Sequence, residues 1–166
     1  MKDKLKRFNF LFFGLGIFYV LVEIIFTSII PLFTKGSFAF IGHTSLWMIL
    51  VGGLMGIILG EFNRLSRLKI NLFWQSIIGM CCIYIIEYFS GIVLNVCFGL
   101  NLWNYKGLWF NINGQITFLF APLWFGICPL AFWADDWLRS IFFGESKPAS
   151  IWIYYNKAFN INDKPA

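Results

Sequence analysis

Glu23 and Glu87 each interrupt an apolar run long enough to cross a bilayer, and a carboxylate in that setting is costly enough to mark a site. Two carboxyls at one level would share a proton more readily than carry two negative charges, which is chemistry suited to proton or cation handling. Tyr19 and Thr27 lie four residues on either side of Glu23 and offer it a phenol and a hydroxyl. Along the run that holds Glu87, the residues Ser76, Gly79, Ser90, Gly91 and Asn95 recur at helical spacings, so small and polar groups share its face. The competing reading makes both glutamates structural, either as interhelical hydrogen bonders or as caps on the backbone of a re-entrant outer loop.

Such a loop is written between Asn101 and Gln115. Trp103, Tyr105, Trp109 and Phe110 can bury rings in the interface, while Asn104, Asn111, Asn113 and Gly114 permit turns. Trp103, Asn104 and Tyr105 are therefore expected over the glutamates as a lid, with an aromatic interfacial belt as the alternative. His43, the single histidine, could pair with either glutamate or remain a solvated loop residue.

These residues need helices to position them. The chain has 166 residues, 59% of them hydrophobic, and a mean hydropathy of +0.73, well beyond a water-soluble domain. Four apolar stretches, about 8–33, 44–62, 70–98 and 116–134, each reach the ~20 residues that a spanning helix requires. The expected fold is an all-α polytopic membrane protein with a four-helix domain over 1–143 and a cytoplasmic tail over 144–166. The first run is too long for a cleavable signal and should remain as an anchor. Residues Trp137 to Phe143 are expected to lie along the membrane.

Charge sets the expected orientation. Eleven of the thirteen Lys and Arg residues flank the runs on one side, including Lys4, Arg7, Arg64, Arg67, Arg139 and Lys164. Only Lys35 and Lys106 face the other side, so both termini should be cytoplasmic in a multi-pass cell-membrane protein. Counted from that side, Glu23 lies ~21 Å and Glu87 ~24 Å deep at ~1.5 Å per residue. The net charge of +5 is spread over these flanks and fits membrane-edge anchoring, not nucleic acid.

Gly52, Gly56 and Gly60 recur every fourth residue and form a close-packing stripe, used either within one chain or between two copies. Pro122 and Pro129 each remove a backbone donor and should bend the fourth helix. Glu61 beside Arg64 reads as an interfacial ion pair. Cys81, Cys82, Cys97 and Cys128 fall in apolar runs and read as buried free thiols. A metal centre and a cofactor are not expected, and neither a nucleotide-binding loop nor a serine-hydrolase elbow is present to name a catalytic residue.

The ordered set Glu23-Ile-Ile-Phe-Thr27, Gly42-His-Thr-Ser-Leu-Trp47, Glu61, Glu87-Tyr-Phe-Ser-Gly91, Trp103-Asn-Tyr105, Gly114-Gln-Ile-Thr117 and Pro122-Leu-Trp124 resembles the small four-helix proteins of the putative ABC transporter type IV (CmpB-like) and transmembrane protein 229 family. The resemblance covers about Phe10 to Phe132. Members usually read Trp-Asp-Tyr-Ser in the outer loop, where this chain has Trp103-Asn-Tyr-Lys106. It implies a transport-related, permease-like component. Four helices are few for a permeation path, so a homodimer or a membrane partner subunit is expected, and a non-transporting scaffold or assembly factor is the alternative to transport.

Overall fold

The computed structural model describes residues 2–36, 38–66 and 69–164, without the side chains of residues 2 and 33–35. Arg67 and the side chains of Lys2 and Lys35, counted above for orientation, lie outside the described residues. The helices are α1 (Lys2–Lys35), α2 (Trp47–Ser66), α3 (Leu72–Gly91), α4 (Ala121–Phe143) and α5 (Ile151–Ala158). α3 continues as a wider π turn over Ile92–Cys97, and a 3-10 turn over Phe118–Phe120 leads into α4. A two-stranded antiparallel hairpin, β1 (Asn111–Ile112) with β2 (Ile116–Thr117), stands between them. Four of the helical segments are long and apolar enough to cross a membrane: Asp3–Leu32, Trp47–Ser66, Leu72–Cys97 and Phe118–Phe143.

The chain divides into two compact units, Met1–Ile57 and Ile58–Ala166, with the division falling inside α2. In the first unit, α1 packs on the opening turns of α2 through glycine. A Cβ on Gly52 would run into the Tyr19 ring, one on Gly53 into the Phe12 carbonyl, and one on Gly56 into the Leu15 side chain. α1 answers with a glycine of its own, since a Cβ on Gly16 would meet the Ile49 backbone. Leu11, Leu15, Met48, Val51 and Met55 are buried there. Phe13, Ile17, Leu21 and Ile25 are exposed along α1, as befits residues whose solvent is lipid.

The second unit closes the last turns of α2, α3 and α4 around Leu59, Ile83, Cys128 and Phe132. Gly79 makes room there, because its Cβ would lie 2.9 Å from the Cys128 sulfur and 3.2 Å from Leu59. Cys81 on α3 and Cys97 at the end of the π turn, expected to be buried, are exposed, and only Cys128 is fully enclosed. Asn71 caps α3 by accepting from the Trp74 N–H at 3.1 Å.

α4 differs from its expected form at both ends. Pro122 falls in its first turn, where a helix N–H has no partner to lose, so only Pro129 is interior. Its other end runs on to Phe143, and Trp137 to Phe143 therefore form its last turns and not a separate surface segment. Gly144, at φ +66°, stops the helix in the left-handed region and donates to the Arg139 carbonyl. The tail then folds back as α5 against α3 and α4, with Ala158 fully buried and the Trp133 indole donating to the Ala149 carbonyl at 3.2 Å.

Candidate functional site

Thr117 fixes the level at which the loop between α3 and α4 returns to the helices. The Tyr84 hydroxyl, in the middle of α3, donates to the Thr117 carbonyl at 3.1 Å. α4 thus starts opposite the middle of α3, and the segment from Phe98 to Thr117 fills the length alongside its second half. From Tyr84 to Asn95 that length is about 16 Å at ~1.5 Å per residue. The loop is re-entrant: it lies beside a spanning helix for a large part of that helix's course.

Non-helical backbone at that depth needs its polar groups satisfied, because lipid supplies no partners. Side chains share the demand with main-chain bonds of the loop and hairpin. Asn95, buried in the π turn, accepts from the Leu102 N–H at 2.7 Å and donates to the Trp103 carbonyl at 3.1 Å and the Gln115 side chain at 3.0 Å. The Trp103 indole donates to the Gln115 carbonyl at 2.9 Å, and the Thr117 hydroxyl to the Trp109 carbonyl at 2.8 Å. Gln115 fits because α3 carries Gly91 at that point, where a Cβ would lie 3.0 Å from the Gln115 Cβ. Two bulky residues, Phe40 and Phe110, hold left-handed φ values of 48° and 54° in the α1–α2 and α3–α4 connections, a conformation that costs energy without glycine.

The loop delivers Tyr105 to Glu87. The phenol donates to Glu87 Oε1 at 3.0 Å, the carboxylate is buried, and Phe120 packs edge-on against the Tyr105 ring with centroids 5.6 Å apart. Trp103 serves the loop's own backbone, and the Asn104 side chain accepts from the Lys106 N–H at 2.9 Å, turning the chain just after Tyr105. Of the three loop residues singled out in the sequence, Tyr105 is the one that hydrogen-bonds the Glu87 carboxylate.

Glu23 has a separate setting in the first unit. Thr44 donates its hydroxyl to the Glu23 carboxylate. The Thr27 hydroxyl donates to the Glu23 backbone carbonyl at 2.8 Å and not to the carboxylate, while Tyr19 covers Gly52. His43 is exposed, and its backbone N–H donates to Thr27 Oγ1 at 2.9 Å. Gly42 lets this turn lie against α1, since a Cβ there would strike the Ile24 carbonyl. The Gly42-His43-Thr44 turn therefore clasps α1 at the level of its carboxylate. Thr44 escaped sequence reasoning because it is 21 residues from Glu23, and only helical neighbours could be searched.

A second polar cluster, wholly within the second unit, joins α2 to α4. Asp135 is fully buried and accepts from Arg139 Nε at 2.7 Å. Arg139, only 4% exposed, also reaches Glu61 at 2.9 Å, and Arg64 reaches Glu61 at 3.1 Å. The expected Glu61–Arg64 pair is thus part of a four-residue network. Gly60 admits it: a Cβ there would lie 2.6 Å from both Asp135 oxygens. Among the described residues, no group of three His, Cys, Asp or Glu side chains is arranged to hold a metal ion.

No curated protein and no solved structure matches the chain. A family described as putative ABC-transporter type IV matches residues 8–135, a stretch that takes in Glu23, the Gly42-His43-Thr44 turn, Glu87 and the re-entrant loop. With four helices able to span a bilayer and more than half its length matched, the chain belongs to the putative ABC-transporter type IV family of multi-pass membrane proteins.

Proposed function

We propose that this chain is a transport-related, permease-like component of the cell membrane, with Glu23 and Glu87 as its proton or cation acceptors and with both termini cytoplasmic. The observation that carries the reading is the re-entrant loop that seats Tyr105 on Glu87. Irregular backbone beside a spanning helix is tolerated where it is held by protein or lines a path, and transporters commonly place their sites on such elements. Glu23 supports it independently, because its carboxylate also takes a hydroxyl from an outer connection. Loop movement would uncover each carboxylate, so the loops are the gates. Four helices imply that the working unit is a homodimer or includes a membrane partner subunit.

A scaffold role has its own support in the segment leading into the hairpin, where Trp109 is 79% and Phe110 69% exposed, an apolar pair suited to a membrane partner. Purified protein in liposomes separates the readings. Transport requires proton or cation flux that is lost in Glu23→Gln and Glu87→Gln while both variants remain folded. Absence of flux, together with partner capture abolished by Trp109→Ala, would establish scaffolding in its place.

A further inference from the structure

Within the second unit, α5 roofs a cavity of about 190 Å³ against the first turns of α3. Ile70, Leu72 and Ile153 give it apolar walls, and Gln75, Asp136, Lys157, Asp163 and Lys164 give it polar groups. Gln75 is 2% exposed. Its amide nitrogen donates to the Ile70 carbonyl at 2.6 Å, which fixes the amide's orientation and leaves Oε1 as a buried acceptor with no donor among the described residues. A buried acceptor of this kind calls for a donor from outside the chain.

The charges define that donor's surroundings. Asp136 accepts from the Tyr154 hydroxyl at 2.7 Å and from Asn63 at 3.4 Å, and retains acceptor capacity. Lys157 and Asp163 stand 4.0 Å apart, a loose pair that a ligand can open, and Lys164 is exposed beside them. Two carboxylates and two ammonium groups line one small space, so a ligand carrying one charge of each sign suits it better than a simple ion.

We propose that this cavity binds phosphoethanolamine, free or as a lipid headgroup, with the ammonium donating to Gln75 Oε1 and Asp136 and the phosphate taken by Lys157 and Lys164. The ethylene link lies against Ile153 and Leu72. A choline headgroup fails this chemistry, because a quaternary ammonium has no N–H to give and is larger. The site lies largely beyond residues 8–135, since α5 supplies its roof and Lys157, and the segment that follows α5 supplies Lys164.

The test uses the full chain in detergent. Native mass spectrometry with mixed phosphatidylethanolamine and phosphatidylcholine should show a retained adduct favouring the former by about tenfold, the scale of a lost hydrogen bond to a charged group. Separately, soluble O-phosphoethanolamine should raise the melting temperature if the free ester is the ligand, so either arm alone supports the site and identifies the source. Gln75→Leu and Asp136→Asn should abolish the effect. Lys157→Gln with Lys164→Gln, at a half-exposed and an exposed position, should weaken it relative to the same variant without ligand. Equal retention of both lipids with no shift from the soluble ester would mean that the cavity holds water only. Inorganic phosphate stabilising as strongly as the ester would overturn the ammonium half, and with it the proposal.

Discussion

Asp135 is the side chain whose environment most constrains its neighbours. A fully buried carboxylate is tolerable because Arg139 meets it at 2.7 Å, and Arg139 is held in turn by Glu61. Such pairs gain little over apolar replacements, but removing one partner strands the other's charge. Arg139→Met alone should therefore cost about 3–5 kcal/mol, whereas Asp135→Leu with Arg139→Met should cost clearly less than either single change. Thermal unfolding of the four proteins in detergent checks this, and additive losses would mean that the two residues act independently. The sequence showed Asp135 and Arg139 at helical spacing, but not that a helix would present them to the interior. That depends on Gly60, 75 positions before Asp135 in a stripe that looked purely apolar.

At the scale of elements, the re-entrant loop is a set of backbone groups held in part by a few side chains, with Asn95 serving two of them and the Gln115 side chain besides. Asn95→Ala leaves these without their partner, at about 1–3 kcal/mol for each group that finds no water. Hydrogen exchange should then accelerate across 98–117 and leave the core of α3 protected, while uniform acceleration would point to global unfolding. The aromatic and amide content of 101–115 already indicated a segment that folds into protein. Its depth was not legible, because that follows from the Tyr84–Thr117 bond, which joins residues 33 apart.

α5 was still less legible, since eight residues are too few to span and its docking partners lie on other helices. Tyr155 reports on that docking: its hydroxyl donates to the Gly126 carbonyl at 3.0 Å, and burial pushes the phenol above its ordinary value of 10.0. The folded state thus holds the proton more tightly than the unfolded state. Its contribution is complete below about pH 10 and is lost as pH rises from there through the raised value. Melting temperatures measured across this alkaline range should fall more steeply for the native chain than for Tyr155→Phe, and equal slopes would show that Tyr155 does not govern the loss.

For the whole molecule, the four spans and the distribution of charge make one joint prediction. An even number of crossings places both termini on one side, and the basic flanks select which side. The decisive cations are those near the helix ends, such as Lys4, Lys6, Arg7 and Arg64, against Lys106 in the re-entrant loop. Single cysteines added at each terminus, after replacement of the exposed Cys81 and Cys97, should react with an impermeant maleimide only when cells are permeabilised. A cysteine in place of Lys106 should react from outside intact cells, as the proposed orientation puts the loop's exposed turn in that solution. Reaction of the termini from outside would invert the arrangement, placing the loops that hold Glu23 and Glu87 on the cytoplasmic side and reversing the direction from which a cation meets them. Labelling at only one terminus would require an odd number of crossings, so that one of the four apolar helices would have to lie outside the bilayer.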